Sequence, residues 1–132
     1  MENKFLSRIV KYSTHLYGGW VLFIALLTLL PASVVNIIDW NFMSIDKLAH
    51  LFMFTIMAIL GSIHFRYGRW PGRLTYPAFT SLVTAWLYGT LLEYTQALVP
   101  SRTFDYADLT ANFAGTLLGI ILYKWLIAPR WQ

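Results

Sequence analysis

Six side chains with chemistry of their own interrupt an apolar run between residues 93 and 112: Glu93, Gln96, Arg102, Asp105, Asp108 and Asn112. A second group, Asp46, Lys47 and His50, lies upstream in "IDKLAHLFMF". Carboxylates and imidazole are the groups of general acid–base catalysis. They are also ligands for divalent metals. Lysine and arginine hold phosphate or carboxylate. Spacing suggests that the two groups meet. Asp46 and His50 are i and i+4 and share a helix face, with Lys47 alongside. Glu93 and Gln96 are i and i+3. On a helix beginning near 105, Asp105, Asn112, Gly115 and Gly119 all fall within about 60° of Asp108. That stripe carries acid and amide at its start and small residues below. Ala111, Gly115 and Gly119 permit close helix approach, which presses Asp108 and Asn112 against another helix.

The elements that must position these groups are membrane helices. Hydrophobic residues make up 58% of the 132 and charged residues 12%, about half of the roughly 25% usual in soluble domains. Four apolar spans are expected, at about 17–34, 47–65, 76–98 and 105–127, each near the length that crosses a bilayer. Pro31, Pro100 and Pro129 mark helix ends. The fold class is therefore all-α: a polytopic membrane protein with a four-transmembrane-helix bundle, one domain over 1–132. Lys4, Arg8 and Lys11, then Arg66, Arg69 and Arg73, then Lys124 and Arg130 fall on one side; Lys47 and Arg102 fall on the other. The positive-inside rule puts both termini in the cytoplasm. Trp20, Trp70, Trp125 and Trp131 fit the inner interface and Trp40 the outer one. The acids mirror the bases, since only Glu2 falls inside, and topology does not explain that clustering. The first helix is read as uncleaved, because no small-residue cleavage pattern follows it. Residues 34–40, VVNIIDW, are expected to lie along the outer interface as a lid. The net charge of +4 does not indicate nucleic acid, since the basic residues form no separate face. With no cysteine, thiol catalysis and Cys-metal sites are excluded.

The ordered set DKLAH at 46–50, Glu93 with Gln96, Arg102, Asp108 with Asn112, and Gly115 with Gly119 resembles the VanZ-like family of small bacterial membrane proteins. The resemblance runs over roughly residues 20–125. It implies the bacterial cytoplasmic (inner) membrane. It also implies a link to resistance against teicoplanin, a lipoglycopeptide that binds cell-wall precursor termini. It marks Asp46, Lys47, His50, Glu93, Gln96, Arg102, Asp108, Asn112, Gly115 and Gly119.

Charge narrows the chemistry. Asp46, Glu93, Asp105 and Asp108 against Lys47 and Arg102 leave two negative charges over. Next to hydrocarbon that excess needs relief. Protonation of an acid or of His50, a divalent cation on Asp46, His50, Glu93 and Asp108, or a cationic group on a ligand would each supply it. Simpler roles stand beside the functional ones. Asp105 suits a helix N-cap and Asp108 the positive helix end. Lys47 can snorkel, Arg102 can anchor a loop, and Gly115 and Gly119 can serve packing alone. His15 and His64 suit the inner interface. Glu93 is no cap and lies more than a turn inside its helix, with Arg102 or Lys47 as the expected partner. Three functions remain open beside a purely structural bundle. In the first, the pocket binds membrane lipid or an amphiphilic, lipid-linked envelope ligand through Lys47, Gln96, Arg102, Asp108 and Asn112. In the second, an enzyme uses Glu93, His50 and Asp46 as acid or base, with Ser101 a weak nucleophile candidate. The third is a proton pathway, which the apolar inner halves of the spans disfavour.

Overall fold

The structure is a computed structural model in which residues 4–35, 43–69 and 72–131 are described. All regular structure among them is helical: α1 Lys4–Lys11, α2 Ser13–Thr28, α3 Ala32–Val35, α4 Met43–Tyr67, α5 Pro77–Gln96 and α6 Tyr106–Leu122. A π turn, Tyr123–Ile127, and a 3-10 turn, Ala128–Trp131, follow. Ile45–Tyr67 and Tyr106–Ile127 are long and apolar enough to cross a membrane, and Ser13–Thr28 is apolar but shorter.

Several boundaries differ from expectation. The first span begins at Ser13 and ends at Thr28, with the Leu29 N–H closing on Ala25. Pro31 has no N–H to donate and cannot continue the helix. Ahead of it lies α1, amphipathic and with no buried residue. The α-helical part of the last span ends at Leu122, and the π turn continues the chain to Ile127, ahead of Pro129. Trp20, which the sequence suits to the inner interface, reaches another helix. Its Nε1 donates to the Met53 carbonyl at 2.9 Å, ten residues inside α4. Of the lid, Asn36 to Trp40 lie outside the described residues, as does Trp70.

Burial is inverted relative to a water-soluble core. Ser62, Ser81, Glu93 and Thr116 are fully buried, while Leu22, Leu26, Phe52 and Leu91 are exposed. Lipid supplies no hydrophobic drive between helices, so close packing and hydrogen bonds must join them. Several of the packed pairs have such a bond. Tyr88 donates to the Val21 carbonyl at 2.5 Å, joining α5 to α2. Ser81 donates to Ala58 at 2.9 Å, joining α5 to α4. The Thr55 hydroxyl lies 3.1 Å from the Gly115 carbonyl, joining α4 to α6. An apolar cluster of Ile24, Met53, Phe54, Met57, Ala85 and Leu92 fills the middle.

The helix α4 is central, packed against α2, α5 and α6. It runs parallel to α6, because Leu51 meets Gly115 and Thr55 meets Gly119. A Cβ at Gly115 would collide with the Leu51 carbonyl oxygen, and one at Gly119 with the Thr55 carbonyl oxygen. Neither backbone atom can turn aside as a flexible side chain would. By contrast, a Cβ at Gly18 meets nothing within 4 Å. Gly115→Leu is expected to destabilise the protein by about 1–3 kcal/mol or more, the usual cost of overpacking. Gly18→Ala should leave the melting temperature in detergent unchanged or slightly raised, since alanine favours helix. Thermal unfolding followed by circular dichroism compares the two.

Candidate functional site

The start of α4, the end of α5, the start of α6 and the end of α2 come together at one end of the bundle. The α4–α6 register brings Lys47 level with Asp108 and His50 level with Asn112. Lys47 is the hub. Its Nζ lies 2.7 Å from Asp105 Oδ2, 3.5 Å from Asp46 Oδ2 and in short contact with Asp108 Oδ1. Asp105 is also the N-cap of α6, accepting from the Ala107 N–H at 2.8 Å. It precedes the apolar span Tyr106–Ile127. The Lys47 ammonium, aided by that N–H, holds its carboxyl below the ordinary aspartate range despite the opposing effect of burial. Asp105 therefore contributes to the contact as a carboxylate above that range, and the contribution fades as pH falls below it.

His50 is buried, at 5% exposure. Its Nδ1 lies 2.8 Å from Asn112 Oδ1. That oxygen can only accept, so the contact is a hydrogen bond when Nδ1 carries a proton. Its Nε2 faces Asp46 Oδ1 at 3.8 Å and Asp108 Oδ2 at 3.7 Å. Asp46 and Asp108 thus each turn one oxygen to Lys47 and the other to His50. Both acids also occupy first turns, where the positive helix ends favour them.

Glu93 is completely buried. Its Oε2 accepts the Asp105 N–H at 3.4 Å, and its Oε1 has no partner. Neither Arg102 nor Lys47 pairs with it, contrary to the sequence expectation. Lys47 is held by the three aspartates. Arg102 is held by the Gln96 amide oxygen, 2.8 Å from its Nε, once the amide is oriented by its donors. Arg102 Nη2 also donates to the Thr28 carbonyl at 3.2 Å. The turn that returns Arg102 to the bundle puts Ser101 at φ 65°, an uncommon conformation for serine. Ser101 itself is exposed, and its hydroxyl has no hydrogen-bond partner among the described residues.

Asp46, Lys47, His50, Glu93, Gln96, Arg102, Asp105, Asp108 and Asn112 are therefore gathered at one end, with Gly115 and Gly119 below them at the helix contact. Two contributors carry no charge to betray them. Thr28 offers only its carbonyl. Gly89 leaves room for Phe54 and for the Asn112 amide, whose Nδ2 lies 3.3 Å from where a Cβ would stand. Its position one turn before Glu93, on the same face, was the available signal. His64 lies at the opposite end. It is buried and stacked on Tyr17, with ring centroids 5.2 Å apart.

Chemically, the site offers carboxylate oxygens and an imidazole nitrogen that make no hydrogen bond, while its two cations are already engaged. No curated protein and no solved structure matches the chain. The VanZ/LLP1 family model matches residues 6–127, which hold every residue of the cluster. With nearly the whole sequence aligned to that model, and two helices apolar enough for a membrane, the chain belongs to the VanZ/LLP1 family.

Proposed function

We propose that the protein is a four-span protein of the bacterial cytoplasmic membrane, with both termini inside, whose polar site at the outer surface binds an amphiphilic envelope ligand. A lipid-linked wall precursor or a lipoglycopeptide such as teicoplanin fits that description, and resistance would follow from such binding. The observation that carries the reading is Glu93, wholly buried with one carboxylate oxygen unpartnered, among polar groups from four helix ends. A buried ionisable group in a membrane helix is costly and marks function. Family membership supports the link to resistance. The basic residues at the opposite end of the bundle support the orientation. Because Lys47 and Arg102 are engaged within the protein, a head group meets carboxylates first. It does so through an amine of its own or through a cation that it shares with them.

A second reading, an enzyme acting on a lipid-anchored envelope substrate, draws on the same atom. An unpartnered carboxylate near His50 suits a general base. The two readings differ in what becomes of the ligand.

The absence of native cysteine makes topology directly testable. Ser101→Cys should react with an impermeant maleimide in intact cells, and Arg69→Cys only after permeabilisation. Labelling of Arg69→Cys from outside would overturn the orientation. For binding, the purified protein in nanodiscs is offered a photoactivatable lipid-linked disaccharide-peptide. Wild type should be labelled and teicoplanin should compete. Glu93→Gln should be labelled about tenfold less, as expected for loss of a charged hydrogen bond of about 1.5–3 kcal/mol. Equal labelling of both proteins would sink the binding role of Glu93. A mass change in the recovered lipid, absent with Glu93→Gln, would favour the enzyme.

A further inference from the structure

We infer that Asp46, His50 and Asp108 form a divalent-metal site of the zinc or manganese type. Three facing atoms make the case. His50 Nε2, Asp46 Oδ1 and Asp108 Oδ2 converge from α4 and α6, and one ligand atom from each residue lies within 4.8 Å of the others. With Nδ1 engaged by Asn112, His50 turns Nε2 toward two carboxylate oxygens at 3.7 and 3.8 Å. These distances are too long for hydrogen bonds, so the three atoms face one another across a gap. A metal ion in that gap would make three bonds. Ligand atoms about 2.0–2.2 Å from zinc stand about 3.4 Å apart in a tetrahedron, so small side-chain adjustments close the set.

The surrounding contacts are those that metal ligands use. The other nitrogen of a ligating histidine donates to an acceptor that fixes its tautomer, which is the part Asn112 plays. Ligating carboxylates are themselves hydrogen-bonded, and Lys47 holds the second oxygen of both Asp46 and Asp108. A separate observation also points to a cation. Glu93, fully buried behind the cluster, reaches the Asp105 N–H with one oxygen and leaves the other unpartnered. A divalent ion would cancel the two negative charges that Lys47 and Arg102 leave over. Glu93 is not among the three converging ligands, and its unpartnered oxygen lies behind them. One nitrogen and two carboxylates suit Zn²⁺ or Mn²⁺ better than Mg²⁺ or Ca²⁺, which favour all-oxygen sets. Three protein ligands leave coordination positions open, where an anionic head group can bind. The site thus deepens the binding reading, and metal uptake can be measured with no envelope ligand present.

The test uses the full chain purified in detergent without chelator. Mn²⁺ is titrated and followed by the loss of the free-ion electron paramagnetic resonance signal, and Co²⁺ by its visible absorption. One equivalent should bind to wild type. Asp46→Asn should weaken binding at least tenfold, and Asn112→Ala by about 10–100-fold, the usual effect of losing an orienting partner. The Asp46 side chain is half exposed, so Asp46→Asn should fold normally. It decides the matter even if His50→Ala does not fold. A folded wild type that binds neither ion, or variants that bind as wild type does, would overturn the site. Metal binding without photolabelling would instead remove the ligand reading and leave the metal site standing.

Discussion

The contact of two glycines on α6 with two backbone carbonyls on α4 governs this molecule. At Gly115 and Gly119 the helices approach so closely that a single methyl group has no room. In a lipid environment this proximity replaces the hydrophobic drive that joins helices in water. It also sets a register. Two parallel helices locked at Leu51–Gly115 and Thr55–Gly119 must bring their first turns level. Lys47 then has no choice but to meet Asp108, and His50 to meet Asn112.

That register makes the site an economy of lone pairs. One lysine occupies an oxygen from each of three aspartates, and one asparagine occupies one nitrogen of the histidine. What remains is directional: two carboxylate oxygens and an imidazole nitrogen facing one another. The cations do not sit free to receive an anion. An anionic ligand is therefore better served by a bridging cation than by Lys47 or Arg102 directly. Glu93 gives one oxygen to the Asp105 N–H and leaves the other unpartnered, a burial that is costly unless something positive lies near.

The other helices complete and hold this arrangement. The α2 helix contributes a carbonyl to Arg102 and an indole N–H to α4. The α5 helix contributes Glu93 and Gln96, and also Gly89, which leaves space for the Asn112 amide. Hydrogen bonds from Tyr88 and Ser81 to carbonyls tie these helices together through the apolar middle. A mostly apolar exterior and a partly polar interior suit a bundle surrounded by lipid.

Much of this was legible in the sequence. Apolar run length and scarcity of charge determined that the chain is helical and suited to a membrane. Helical periodicity determined which polar groups share a face: Asp46 with His50, Glu93 with Gln96, Asp108 with Asn112 and the glycines. Those properties are local, and 3.6 residues per turn is enough to derive them. Partner choice was not local. Nothing in the spacing told Lys47 to hold aspartates instead of Glu93, or Arg102 to take Gln96 and a backbone carbonyl. Helix register and the turn at Ser101 decided those pairings. The helical state of residues 4–11 escaped because a short basic segment resembles an arm until its amphipathic face is considered. Likewise, nothing local told Trp20 to donate its N–H to a carbonyl on another helix. Composition and period are written along the chain, whereas hydrogen-bond partners are assigned only when separate helices close on one another.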